Sequence, residues 1–292
     1  MRLAVVHETT YRYTSPVALS QQLLHLEPRA AAAQSVEGFA LDVIPAPDES
    51  ARGTDYFGNP VATFAITRPH PELTVRSRFE ATVEAHAEGI ARRRTDAWDS
   101  VRDRLRDLGQ PPQLDAAQFL HESPHVELLE ELAGYASGSF TPGRAALDAT
   151  RELGSRIHAD YRFDPAATSV ATPLREVVAR RRGVCQDFAH LMIGCLRALG
   201  LPARYVSGYI LTHPKPGRAR LVGAEASHAW ISAYCPPLGW VDVDPTNDCL
   251  VNDEHVTVAW GRDFSDVTPL RGVILGGGEQ ELAVAVKVTA LS

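Results

Sequence analysis

The chain has 292 residues, 45% of them hydrophobic and 22% charged, the composition of an ordinary globular protein with enough apolar material for a large core. A formal net charge of -7, from 29 basic and 36 acidic residues, offers no basic footprint for nucleic acid and no polybasic cluster for an anionic membrane surface. Four cysteines, none in a C-x-x-C pair, are too few for a disulfide framework and form no zinc or redox motif.

The opening MRLAVVHETTYRY has no long apolar run, and no later stretch approaches the roughly 20 apolar residues of a membrane span. A cytoplasmic protein with reduced thiols is therefore expected. From residue 1 to about 88, short β-rich runs (2–6, 36–43, 61–66 and 73–84) alternate with the breakers Pro45-Ala46-Pro47-Asp48 and Phe57-Gly58-Asn59-Pro60, predicting a small antiparallel β domain. Residues 89–113 are charge-dense and end in Pro111-Pro112, which reads as a linker with one solvated helix.

The remainder, residues 114–292, predicts a core of helices followed by strands. His121-Glu122-Ser123-Pro124-His125 matches the zinc pattern H-E-x-x-H, but Pro124 breaks the continuous helix that pattern needs. A helix start with Ser123 as N-cap is the reading preferred there, and no metal is expected. Thr141-Pro142 and Thr172-Pro173 each predict a helix with proline at its first position. The run Phe188, Ala189, Leu191, Met192, Cys195, Leu196, Leu199 is apolar almost all round, so this helix belongs at the centre and stops at Gly200. Strand periodicity follows at 203–211, 228–234, 240–243, 256–258 and 282–288, and Gly276-Gly277-Gly278 reads as a hairpin or loop.

Cys185 falls at the first turn of the buried helix. A helix N-terminus presents unpaired N–H groups and the positive end of the dipole, which favour a reactive thiolate and can receive an oxyanion. Cys195, Cys235 and Cys249 read as small buried hydrophobes. His228, at the start of a strand, is the candidate base, since a strand holds its ring at a fixed position. Asp244, on the next strand, can orient that ring if the two strands pair. Asp242 shares a face with Asp244 by two-residue periodicity, making it a cleft neighbour.

The segments Gly-Val-Cys-Gln-Asp-Phe-Ala-His, Ser-His-Ala-Trp and Gly-Trp-Val-Asp-Val-Asp-Pro-Thr-Asn resemble the bacterial transglutaminase-like superfamily. The front of the chain does too, through His7-Thr9-Tyr11-Tyr13, Leu26-Pro28-Arg29 and Asp55-Phe57-Gly58-Asn59. The resemblance implies an α+β fold: a papain-like or transglutaminase-like core, its cysteine-bearing helix packed on an antiparallel sheet, with an N-terminal β-rich domain. It assigns Cys185, His228 and Asp244 as nucleophile, base and orienting residue. Tyr161, Gln186, Asp187, Trp230 and Asp242 are the expected cleft residues, with the Tyr161 hydroxyl the candidate second oxyanion donor. No cofactor is implied, and the expected partner is a peptide or protein amide. Hydrolysis is favoured over protein cross-linking or arylamine acetyl transfer. A non-catalytic scaffold is the competing class, and the intact Cys, His and Asp argue against it.

Overall fold

A computed structural model describes residues 1–106, 111–212 and 227–291. The chain opens with β1 (Arg2–Leu24), β2 (Gln34–Ile44), β3 (Glu49–Thr54), β4 (Pro60–Ile66) and β5 (His70–Val83). In its first half, alternate residues Leu3, Val5, His7 and Thr9 of β1 are buried, the pattern of a strand with one face on a core. The 23-residue length of β1 lets it serve two sets of neighbours. Its first half pairs with β5, and its second half pairs with β4, giving the order β2-β5-β1-β4-β3.

Helices follow: α1 (Ala87–Ala91), α2 (Trp98–Leu105), α3 (Pro111–Ala117), α4 (Glu130–Ser137) and α5 (Ala146–Asp160). The segment predicted as a solvated linker is not one. Trp98, Val101 and Leu105 are buried, and the Trp98 indole donates to the Thr141 carbonyl at 2.8 Å. Their i, i+3, i+7 spacing forms an apolar stripe that the surrounding charges mask in the sequence. Two helix starts also differ from expectation. Ser123 and Val126 close a turn by mutual backbone bonds, and the next helix begins only at Glu130. Residues 141–144 form another turn, with Arg144 N–H on the Thr141 carbonyl, so α5 begins at Ala146. At the third site, α6 (Leu174–Arg180) starts one residue late, with Pro173 as its N-cap.

Two-residue β6 (Arg162–Phe163) and β7 (Arg182–Gly183) pair in parallel and lead into α7 (Cys185–Ala198), whose residues from Asp187 to Arg197 are all buried. The second sheet comprises β8 (Ala203–Ile210), β9 (His228–Tyr234), β10 (Trp240–Asp244), β11 (Cys249–Leu250) and β12 (His255–Gly261), ordered β11-β10-β9-β8-β12. Helix α7 and the inward residues Tyr205, Ala229, Ile231, Ala233 and Val243 belong to one hydrophobic cluster. On the opposite face Val206, Trp230 and Val251 form a smaller one.

The last strands, β13 (Leu270–Gly276), which strand periodicity does not flag, and β14 (Gln280–Leu291), lie in the segment 114–292 expected to form one core. They instead join the N-terminal sheet: β13 pairs with the second half of β1 and β14 with the first. Periodicity identifies a strand but not its partner, and here the paired residues lie 246 or more positions apart in the chain. The hairpin between them uses Gly276, Gly277 and Gly278 at φ of 91°, 91° and 65°, values that residues with a Cβ rarely adopt. Buried Val286 and Val288 of β14 join Leu3, Val5, Phe79, Ala81 and Val83 in the same cluster as α7.

The exposed backbone of edge strand β12 is covered by side-chain amides. Gln34 Nε2 donates to the Thr257 carbonyl while its Oε1 accepts Thr257 N–H, both at 2.8 Å. Asn59 does the same for Trp260, at 2.8 and 3.0 Å. Each amide mimics one residue of a partner strand, which closes an edge that would otherwise offer unpaired groups. Among the described residues no helix is long and apolar enough to cross a membrane.

Candidate active site

Cys185 is the first residue of α7, and the helix start is held from below. Asp187 is 3% exposed; its carboxylate accepts Val184 N–H at 2.8 Å and the Thr168 hydroxyl at 2.6 Å. Burial raises its carboxyl above the ordinary value against the lowering effect of those two bonds. Gly183 makes room for it, since a Cβ there would lie 2.5 Å from Asp187 Oδ2. Asp187, expected as a cleft residue, is thus a buried brace for the turn that carries Cys185. Gln186 is half-buried and reaches the Val170 carbonyl at 3.4 Å.

The strands bring the other two residues to that turn. In the β9–β10 register Asp242 lies opposite Ser232 and Val243 opposite Ile231, so Asp244 falls diagonal to His228 rather than directly opposite. Diagonal neighbours on one face remain within side-chain reach, and His228 Nε2 meets Asp244 Oδ2 at 2.7 Å. Cys185 lies near enough to the same imidazole to raise its pKa, and with Asp244 on Nε2 the nitrogen left available to the thiol is Nδ1. Burial alone would lower the imidazole pKa, but the hydrogen bonds and charges of Asp244 and Cys185 outweigh it and raise it to about 10.

Asp244 is fully buried. Oδ1 accepts Thr246 N–H at 2.8 Å and Asn247 N–H at 3.2 Å. Oδ2 accepts His228 Nε2, Asn247 Nδ2 at 2.7 Å and His255 Nε2 at 3.2 Å. Burial would push its pKa up, but His228, His255 and Asn247 hold the carboxyl well below the usual range. The side chains expected to carry chemistry are therefore brought together.

Other expected cleft residues sit differently. Trp230 is fully buried, its indole donating to Asp242 Oδ2 at 3.2 Å, so Asp242 shares the Asp244 face as periodicity requires but serves Trp230. Tyr161 packs edge-on against Tyr135 and Phe188. Burial first, then Cys195, pushes its hydroxyl up to about 12. Tyr161 is 7% exposed and belongs to the same hydrophobic cluster as α7. Burial raises the thiols of Cys195 and Cys235 to about 12. Half-buried Cys249 rises to about 12 through burial and then the nearby Asp244.

His255, Asn247 and Thr168 were not assigned roles from sequence. Asn247 stands inside the Asp-Pro-Thr-Asn motif and was accessible there, whereas His255 carries no local signal, because β9 and β8 separate its strand from β10. Donor atoms of His228, Asp244 and His255 lie within 4.8 Å of one another. Each Nε2 is within hydrogen-bond distance of the carboxylate, which can only accept, so both nitrogens carry protons and the cluster reads as a proton-sharing network.

Two family models match the chain: the bacterial transglutaminase-like N-terminal region over residues 3–82 and the transglutaminase-like superfamily over residues 134–245. An uncharacterized protein of Mycobacterium tuberculosis is 37% identical over 287 residues, covering 96% of this chain and 90% of the relative. A protein-glutamine gamma-glutamyltransferase of Pseudomonas aeruginosa is 38% identical over 87 residues, 30% of this chain and 13% of that protein. A solved structure from Cytophaga hutchinsonii, provisionally described as a cysteine protease, superposes with a TM-score of 0.76 at 20% identity, covering 100% of this chain and 91% of that one. At that identity the likeness shows the fold alone.

Proposed function

The chain belongs to the transglutaminase-like superfamily, and from that premise we propose that it is a thiol-dependent acyl-transfer enzyme that cleaves amide bonds of peptides or proteins. The observation that carries the reading is the meeting at one imidazole, His228, of the buried Asp244 carboxylate, bonded to Nε2 at 2.7 Å, and of Cys185, which raises the same ring's pKa. That arrangement supplies a nucleophile, a proton carrier and an orienting group in one unit.

In the proposed cycle Cys185 Sγ attacks the substrate carbonyl carbon. The developing oxyanion is received by the N–H groups at the start of α7, which have no partner within the helix. The imidazolium of His228 gives its Nδ1 proton to the leaving nitrogen as the C–N bond breaks, leaving a thioester on Cys185. Water then attacks, His228 takes its proton, and cleavage of the C–S bond releases the acid and restores the thiol. Asp244 holds the ring throughout and stabilises its charged form.

An amine in place of water would complete the same cycle as transamidation. The relationship to a protein-glutamine gamma-glutamyltransferase over 87 residues favours testing that outcome. The experiment offers peptide, glutamine and isopeptide amides with a primary amine present as trap. Free acid as the main product, lost in Cys185→Ala, is expected. A dominant amine adduct moves the assignment to transamidation, and the absence of any thioester on Cys185 with every substrate refutes the enzyme reading.

A further inference from the structure

His255 opens β12, yet its ring reaches Asp244 across the face of the sheet that carries Trp230. The chain between β11 and β12 crosses that face: Val251 N–H bonds the Asp242 carbonyl, His255 N–H the Asn252 carbonyl, and Leu211 N–H the Glu254 carbonyl. The His255 ring stands edge-on to Trp230 at 5.4 Å and 6.2 Å from the His228 ring. Gly208, opposite both His228 and Thr257, permits this closeness. A Cβ on it would lie 2.2 Å from the Val256 carbonyl oxygen and 2.4 Å from the Trp230 ring.

Since a carboxylate only accepts, His255 must carry its proton on Nε2 to approach Asp244 Oδ2 at 3.2 Å. Its other nitrogen also faces Asn252, with Nδ1 accepting the Asn252 N–H at 3.4 Å. The ring is therefore fixed at both ends, 2% exposed, and directed at the same oxygen that His228 uses. Other ionisable groups close to this network are Cys249 of β11 and Glu254, next to His255 in the chain.

We propose that His255 is a positioning residue for the Cys185, His228 and Asp244 unit: it fixes the Asp244 carboxylate and draws on the oxygen that holds the His228 proton. Three donors, His228 Nε2, Asn247 Nδ2 and His255 Nε2, share the charge of this one oxygen, so each bond weakens the hold of the others. Without His255, Asp244 would grip the His228 proton more tightly and lose one constraint on its rotamer. The inference rests on the proposed thiol unit and deepens it.

The test needs no substrate. Iodoacetamide alkylation of Cys185 is followed against pH by mass mapping in the full-length protein; the upper inflection of the profile reports loss of the His228 proton beside the thiolate. In His255→Leu that inflection should move upward by about half a pH unit to one unit, the scale expected when a carboxylate loses one of several charge-assisted bonds. His255→Gln, whose amide can still donate, should restore the wild-type profile. Asp244→Asn should move the inflection downward. Asn252→Ala, which frees the Nδ1 end without emptying the core, should move it upward by less, and it serves if His255→Leu does not fold. A profile unmoved in both His255→Leu and Asn252→Ala while Asp244→Asn shifts it overturns the proposal and leaves the thiol unit standing. A wild-type profile with a single inflection that His228→Ala does not alter overturns the thiol unit itself.

Discussion

Asp244 stays charged with no solvent contact because five donors surround it, and breaking a buried pair of this kind leaves an uncompensated charge. Linkage fixes the pH window. His228 is raised from 6.5 to about 10, so its contribution to stability is complete below about 6.5 and is lost as pH rises through about 10. Asp244 is depressed from 3.8, so its contribution is present above about 4 and fades as pH falls. The urea midpoint of wild type minus that of Asp244→Asn should therefore be largest between about pH 4 and 6.5, decline as pH rises from there toward about 10, and shrink below about pH 4; a difference independent of pH would separate Asp244 from the ion pair. On any substrate turned over, His228→Ala should match the loss in Cys185→Ala, with Asp244→Asn retaining more, reduced by roughly 10- to 10⁴-fold. Asp242→Asn should cost little, since an amide oxygen still accepts the Trp230 indole. A crippled Asp242→Asn beside a near-normal Asp244→Asn would move the third role to Asp242. The grouping of these three side chains was legible in the sequence because each residue type sits on an element that suits its proposed task. His255 was not, because its approach depends on a loop crossing a sheet face.

At the scale of elements, helix α7 was the most legible piece: an apolar run closed by Gly200 announced a buried helix with Cys185 at its mouth. Thr141-Pro142 and Ser123-Pro124 open turns rather than helices, because proline suits either, and only the backbone bonds of residues 141–144 and 123–126 decide between them. The support beneath α7 was hidden as well, since Gly183 matters only through the Asp187 carboxylate that occupies its space. Gly183→Ala should thus force Asp187 off Val184 and Thr168, lowering stability by about 1–3 kcal/mol, as overpacking does, and slowing Cys185 alkylation. Gly134→Ala is the opposite case. It lies exposed in α4 with nothing within 4 Å of an added Cβ, so the substitution should stabilise by about 0.5–1 kcal/mol through helix propensity and leave alkylation unchanged. Thermal melts of both variants check this, and a neutral Gly183→Ala would remove Asp187 as the brace of the helix start.

At the scale of the whole molecule, the sequence suggested a β domain ending near residue 88 and a separate core, but the two do not divide there. Strands β13 and β14 complete the N-terminal sheet on β1, and Leu3, Val5, Phe79, Val286 and Val288 share one apolar cluster with α7. Two bodies that share a core lose most of their burial when either opens, which favours a single cooperative transition. All four tryptophans, Trp98 of α2 and Trp230, Trp240 and Trp260 of the second sheet, lie outside the N-terminal sheet, so their fluorescence follows the second sheet and α2 while far-UV dichroism follows the whole chain. The two melting curves should coincide. A fragment of residues 1–88, lacking β13, β14 and the core beneath β1, should show no cooperative transition of its own. Gln34→Ala and Asn59→Ala each strip a backbone N–H and carbonyl of β12 of their partners, at a cost of about 1–3 kcal/mol per unsatisfied group. The double variant should therefore melt earlier but still in one step, because the shared core survives the loss of the edge contacts. Curves that separate in the wild-type protein, or a fragment of residues 1–88 that melts cooperatively, would show two independent units and return the boundary to residue 88. Curves that separate only in the double variant would show instead that the two amides, rather than the apolar cluster, couple the sheets.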